Sequence, residues 1–302
     1  MSRKQLLRDR CVAFKAKADT FDPPLRYEAN SWRRFPREFI VIEPLKVVYC
    51  TIPKVSSTTI LRMLLNVTGH LNPNKHNVQP HQLGLRKFTS LDYYDLGEAQ
   101  QILATYKKFL FVRNPLERLL SAYRNKIETN VDPAFKTLRN FIGSVNGHTK
   151  LVPKIAKTKL RLRTSGTVVQ KSHVTLSQFA SFVLAEKKST LKRARLSLYK
   201  HWCPMYEICQ PCLVDYDWIG HFDSLQTDIR SILMALVGEN RTFYVPRHDP
   251  KHVTNSADEN TQRQLFATLS SSNIKALIKY YEIDSDLFGF DIPKIIGKFI
   301  NN

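Results

Sequence analysis

Twice in this chain a short β-branched or aromatic run ends in a polar loop that opens directly into an amphipathic helix. That recurring pattern constrains the fold more than any other feature. Val47-Val48-Tyr49-Cys50-Thr51-Ile52 stops at Pro53 and reads as a strand buried on both faces. Residues 57–68 follow with Ile60, Leu61, Leu64, Leu65 and Val67 ahead of Gly69, which predicts a helix with a glycine stop. Residues 108–112 (Lys-Phe-Leu-Phe-Val) repeat the strand pattern. Asn114 is then placed to cap a helix and Pro115 to occupy its first position. Leu116, Leu119, Leu120 and Tyr123 make an i, i+3, i+4, i+7 apolar face. Two strand–loop–helix units predict an α/β fold with a central, mainly parallel sheet flanked by helices.

Residues 1–43 are polar, basic and interrupted by Pro23, Pro24 and Pro36, with Trp32 and Phe35 as docking side chains. They read as an N-terminal arm on a single domain spanning residues 44–302, whose core begins near Lys46. Further helices are expected at 176–186, capped by Thr175, and at 261–269 and 272–281. No internal repeat or low-complexity segment is visible.

Composition narrows the function classes. Of 302 residues, 43% are hydrophobic and 11% aromatic, so a disordered or collagenous chain is excluded. No apolar run approaches the ~20 residues needed to span a bilayer. The visible N-terminus, Met-Ser-Arg-Lys-Gln-Leu-Leu-Arg-Asp-Arg, has no apolar signal or anchor region. The net charge of +20 points to an anionic partner. Residues 150–200 hold thirteen Lys/Arg against the single acid Glu186, a net +12. Five cysteines are too few for a disulfide scaffold, and their odd number leaves at least one unpaired within the chain. Asn66-Val67-Thr68 and Asn240-Arg241-Thr242 fit the N-glycosylation pattern, the first discounted because it falls on the expected helix.

The chemistry is expected in the two loops. Pro53-Lys54-Val55-Ser56-Ser57-Thr58-Thr59 places a lysine, several hydroxyls and small side chains at a helix N-terminus, where free N–H groups and the helix dipole favour an anion. The glycines of a nucleoside-triphosphate loop are missing, and Lys54 precedes the hydroxyls. In the second unit Arg113 ends a strand and Ser121 lies two helical turns on, a pair suited to a second phosphate at the carboxyl edge of an open sheet.

These blocks resemble the Golgi carbohydrate sulfotransferases that include the chondroitin, dermatan and GalNAc 4-O-sulfotransferases. The resemblance rests on strand–Pro-Lys-Val-small-Ser/Thr and on Phe111-Val112-Arg113-x-Pro115-x-Glu117-Arg118-Leu119-x-Ser121-Ala122-Tyr123-Arg124-x-Lys126. A third block runs from His201-Trp202 through Tyr206-Glu207-Ile208-Cys209-Gln210-Pro211-Cys212 to Tyr216-Asp217-Trp218-Ile219-Gly220 and residues 225–228, and a weaker fourth lies at 281–290. One departure stands out: where members usually read Asn-Trp-Lys, this chain has Thr59-Ile60-Leu61.

The resemblance implies a P-loop-like sulfotransferase fold and 3′-phosphoadenosine 5′-phosphosulfate (PAPS) as donor, with no metal required. It assigns Pro53, Lys54, Val55, Ser56, Ser57, Thr58 and Thr59 to the 5′-phosphosulfate. It assigns Arg113, Asn114, Pro115, Leu116, Glu117, Arg118, Leu119, Leu120 and Ser121 to the 3′-phosphate. Lys54 would neutralise charge on the departing oxygen. A general base is expected between the loops, where His76 and His81 lie, with His81 preferred and His201 the alternative. The implied acceptor is an anionic glycan of chondroitin or dermatan type, met by the basic segment that includes Lys157, Lys159, Arg161 and Arg163. The implied location is the Golgi lumen, with membrane attachment only through an anchor not visible in this sequence.

Cys209-x-x-Cys212 with Cys203, His201 and His221 permits a zinc reading. A structural disulfide is preferred, because the resemblance implies a secretory-pathway enzyme. Two other classes remain open at this point: an inactive glycan-binding module of the same fold, and a basic nucleic-acid-binding protein, the latter not expected.

Overall fold

The computed structural model describes residues 2–16, 37–72, 78–129, 132–144, 173–186, 196–238 and 254–300. In chain order the first elements are α1 (Arg3–Ala16), β1 (Phe39–Ile42), β2 (Val47–Cys50), α2 (Ser57–Val67), α3 (Pro80–Lys87), β3 (Thr89–Ser90), α4 (Leu96–Thr105), β4 (Lys107–Val112) and α5 (Pro115–Ala122). A π-helical segment, Tyr123–Glu128, continues α5. Then come α6 (Pro133–Ser144), α7 (Leu176–Glu186), α8 (Leu196–Tyr199), α9 (Met205–Cys209), β5 (Trp218–His221), α10 (Leu225–Val237), α11 (Glu259–Phe266), α12 (Ser271–Tyr280), α13 (Glu282–Phe288) and α14 (Lys294–Gly297).

The chain divides into two compact units. The first takes Met1–Leu119, Lys200–Val253 and Tyr280–Ile292; the second takes Leu120–Tyr199, Thr254–Lys279 and Pro293–Asn302. The division runs through α5.

The first unit contains a five-stranded sheet in the order β3-β1-β2-β4-β5. The expected mainly parallel sheet is in fact mixed. β2 pairs with β4 and β4 with β5 in parallel, whereas β1 runs antiparallel to both β2 and β3. The reason is the length of the connections. β1 and β2 are joined by a tight turn at Glu43–Leu45 that closes with Lys46 in the left-handed region at φ 48, and so short a link permits only an antiparallel pair. The connection from β2 to β4 carries α2 to α4, long enough for a parallel crossover.

β1 also moves the start of the core. All four of its residues are buried, and it lies inside the sheet, so the core takes in residues well ahead of Lys46, with Leu7 and Cys11 of α1 buried as well. The expected arm thus contributes both β1 and α1 to this unit. α1 is tied down by a disulfide between Cys11 and Cys212 and by a 2.6 Å ion pair of Arg3 with Asp228. Trp32 and Phe35 lie outside the described residues.

Across the parallel pairs, Tyr49 stacks on Phe109 with centroids 4.7 Å apart. Gly220 leaves room for the Phe111 ring, since a Cβ there would sit 2.2 Å from it.

In the second unit Tyr123 meets Phe179 at 5.9 Å and Phe141 meets Phe182 at 6.5 Å, joining the π-helical segment and α6 to α7. Thr175 caps α7 as expected. Its Oγ1 accepts from Gln178 N at 3.2 Å, while the Gln178 side chain accepts from Thr175 N at 2.9 Å, a reciprocal box that satisfies two orphan donors.

Candidate functional site

β2 and β4 are parallel neighbours in register, Cys50 opposite Leu110, so the chain leaves both strands at the same edge of the sheet. Beyond Cys50 lies the 53–59 loop; beyond Val112 lies Arg113. This is the carboxyl edge at which open α/β sheets bind ligands.

The loop backbone is strained. Lys54 has φ 73 and Ser56 φ 70, both left-handed without being glycine. Such conformations cost roughly 1–3 kcal/mol each and persist only where the surroundings enforce them. Here they turn the chain sharply into α2, and alternating backbone handedness makes a concavity of N–H groups suited to an anion. Ser56 occupies the N-cap position of α2, but its side chain makes no capping hydrogen bond. Val55, Ser57 and Thr59 are buried, whereas Pro53, Lys54, Ser56 and Thr58 are half-buried. Thr58 Oγ1 lies 3.1 Å from Nε2 of His81 on α3. The expected base and the expected phosphate loop are therefore brought together. His76 lies outside the described residues.

Arg118 lies behind the loop and is fully buried. Its Nε donates to the Pro53 carbonyl at 2.9 Å, Nη1 to the Cys203 carbonyl at 2.6 Å and Nη2 to the Lys200 carbonyl at 2.7 Å. The loop is thereby bonded to the turn that carries His201, which is half-buried. That turn is held from α13 as well. The Tyr281 hydroxyl donates to the Trp202 carbonyl, and Asp284 accepts from Met205 N at 2.6 Å and Tyr206 N at 2.8 Å. Burial pushes the Asp284 carboxyl up to about 7, against the lowering effect of these two N–H groups and of the Arg118 charge. α9 ends in Cys209, whose disulfide to Cys50 anchors it to the last residue of β2.

The second motif is equally buried. The Arg113 guanidinium lies 3.8 Å from the Phe222 ring centre and pairs with Glu117 at 3.4 Å. Burial pulls its pKa down, opposed by the Glu117 carboxylate. Asn114 caps α5 as expected, with Oδ1 accepting from Leu116 N at 3.1 Å and Nδ2 donating to the Asp291 carbonyl at 2.9 Å. Pro115 opens the helix, and Leu116, Leu119 and Leu120 are core side chains. Ser121, in the second unit, is buried and accepts from Thr254 Oγ1 at 3.2 Å; Thr254 in turn lies 2.9 Å from Ser256 Oγ. Arg124 Nη1 donates to the Thr254 carbonyl at 2.5 Å. The sequence carried no sign that residues 254–256 meet Ser121, because 133 positions separate them.

Cys209 and Cys212 are engaged in separate disulfides to Cys50 and Cys11, and Cys203 is a buried free thiol. The preferred disulfide reading of this cluster holds, with partners that lie far away in the chain. No cluster of three or more metal-ligating side chains occurs among the described residues. Lys157, Lys159, Arg161 and Arg163 lie outside the described residues. Among the described residues no helix is long and apolar enough to cross a membrane.

Comparison with known proteins adds three findings. The sequence model of a family described as "Sulfotransferase family" matches residues 37–291. Carbohydrate sulfotransferase 11 of Rattus norvegicus is 26% identical over 263 residues, covering 86% of this chain and 69% of its own length. Carbohydrate sulfotransferase 12 and carbohydrate sulfotransferase 8 of Mus musculus are each 27% identical, covering 97% and 96% of this chain and 68% and 63% of theirs. No solved structure matches.

Proposed function

The chain belongs to the sulfotransferase family, and from that premise we propose that it moves a sulfuryl group from PAPS to a carbohydrate hydroxyl. The observation that carries the proposal is the strained 53–57 backbone at the carboxyl edge of the sheet, with Lys54 and Ser56 left-handed at a helix N-terminus. Such a concavity of N–H groups beside a lysine fits the 5′-phosphosulfate of the donor. Arg113 and Ser121, by their place in the second motif, would take the 3′-phosphate. Asn114, Pro115, Glu117 and the leucines of α5 would shape that site without direct bonds to it.

Sulfuryl transfer, like phosphoryl transfer, asks a protein for in-line placement and neutralisation of developing charge. As the acceptor oxygen bonds to sulfur, the bond from sulfur to the 5′-phosphate oxygen breaks, and Lys54 would meet the charge left on that oxygen. His81 would take the acceptor proton. Its 3.1 Å approach to Thr58 supports that role, because it holds an imidazole against the phosphosulfate loop. His201 is the rival base, bonded to the same loop through Arg118 and its own turn.

The curated relatives named above support a carbohydrate acceptor. An anionic chondroitin- or dermatan-type chain, sulfated at the 4-hydroxyl of N-acetylgalactosamine, suits the net +12 of residues 150–200. Contacts shared by ground and transition states leave the barrier unchanged. Neutralising Lys157, Lys159, Arg161 and Arg163 together should therefore raise KM for chondroitin at nearly constant kcat, with most of the difference vanishing at high salt. Two disulfides suit an oxidising compartment and support a Golgi lumenal site of action.

The deciding experiment supplies labelled PAPS and a panel of desulfated glycans. Transfer to chondroitin or dermatan is expected, abolished in Lys54→Ala. Label on a neutral oligosaccharide alone would refute the acceptor class. Failure of 3′-phosphoadenosine 5′-phosphate (PAP) to raise the melting temperature would refute the donor, since a ligand bound only by the native state must stabilise it.

A further inference from the structure

Between the strand end and Ser121 the second motif contains two arginines, Arg113 and Arg118, and the structure separates them. Five features bear on Arg118. It is fully buried. All three of its nitrogens donate to carbonyl oxygens, those of Pro53, Cys203 and Lys200. One of those carbonyls belongs to the residue directly before the left-handed Lys54. The other two bracket the turn that bears His201. That turn is fixed independently by Tyr281 on Trp202 and by Asp284 on Met205 and Tyr206.

A guanidinium bonded in this way has each of its three nitrogens donating to a protein carbonyl. Lysine has three donors, but all on one nitrogen, and so cannot reproduce the spread of Nε, Nη1 and Nη2 over three separate carbonyls. Left-handed residues such as Lys54 and Ser56 persist only where the surroundings enforce them, and the Arg118 bond to the Pro53 carbonyl is a contact from the core to the residue just before them.

Resting on the donor reading above, we propose that Arg118 is a positioning residue. It fixes the phosphosulfate loop against the 200–203 turn, and so sets the geometry of transfer without touching the donor.

The test compares two nucleotides on the full oxidised chain: PAP, and adenosine 5′-monophosphate, which lacks the 3′-phosphate. For wild type, Arg113→Ala and Arg118→Lys, titration calorimetry gives the ratio of their affinities, and turnover is expressed per PAP-binding site. Arg113→Ala should collapse the preference for PAP. Arg118→Lys should keep that preference within about threefold of wild type while turnover per site falls about 10²-fold, the loss expected from misplacing reacting groups by roughly 1 Å. A collapsed preference in Arg118→Lys would make it a donor ligand and overturn the inference. Unchanged turnover per site would make it a packing residue and overturn it equally.

Should Arg118→Lys fail to fold, Tyr281→Phe perturbs the same turn by removing the hydroxyl that reaches the Trp202 carbonyl. Lower turnover at unchanged PAP affinity is then expected, and unchanged turnover overturns the inference. A wild-type protein that does not bind PAP would overturn the donor reading itself and this inference with it.

Discussion

Lys54 is asked to do two things that pull in opposite directions. In the proposed transfer its ammonium lies beside the departing oxygen, yet its backbone sits at φ 73, where a Cβ is unwelcome. Replacing it with both alanine and glycine separates the two demands. Each substitution removes the ammonium and every contact of the side chain, and only glycine also removes the Cβ. The left-handed penalty for a residue with a Cβ is about 1–2 kcal/mol. Glycine gives back roughly 0.5–1 kcal/mol of this through its larger loss of backbone freedom on folding. Lys54→Gly should therefore be more stable than Lys54→Ala by about 0.5–1 kcal/mol, read from urea midpoints of the oxidised protein at constant m. Both should lose transfer of labelled sulfate from PAPS by about 10²–10³-fold, the usual effect of deleting a preorganised group that meets developing charge. Equal stability of the two variants, or alanine the more stable, would refute the strained loop. Turnover surviving in both would refute the placement of the lysine.

Three further outcomes follow from the packing. Asp284 has a folded pKa raised from 3.8 to about 7, so its stabilising contribution is complete below about pH 4 and is lost as pH rises through about 7. The stability advantage of wild type over Asp284→Asn should shrink by about 3 kcal/mol between pH 5 and 8 in urea titrations, at about 1.4 kcal/mol per pH unit; a constant difference would contradict the burial argument. Cys209→Ser opens a link across 159 positions and should cost about 3–5 kcal/mol of stability with the Cys11–Cys212 bridge intact. A loss under 1 kcal/mol would show that the bridge constrains little. Gly220→Ala drives a Cβ to 2.2 Å from the Phe111 ring and should destabilise by about 3 kcal/mol or abolish folding, which circular dichroism would detect.

Local chemistry was legible because it is written in adjacent residues. The strand before Pro53, the helix after it, the Asn114 cap with Pro115 and the Thr175 cap of α7 all depend on neighbours within a few positions, and each is where periodicity and capping rules put it. The family resemblance is legible for the same reason, since its motifs are contiguous. β1 escaped because Phe39-Ile40-Val41-Ile42 is only four residues long and follows a basic, proline-interrupted stretch, too short a run to set against its flanks.

The residues themselves thus determined the two strand–loop–helix units, the lysine, arginine and hydroxyls of the two loops and the excess of positive charge. Three matters could be decided only in three dimensions. The first is which arginine of the motif is committed to carbonyls: Arg113 and Arg118 are alike as letters and differ in what surrounds them. The second is cysteine pairing, which joins positions 201 and 159 residues apart. The third is the backbone handedness at Lys54 and Ser56, which no local preference favours and which lies beside a carbonyl bonded by Arg118 from 65 positions away. Propensities act over a few residues, whereas a buried donor takes whatever acceptor the folded core brings to it, and that depends on the whole chain.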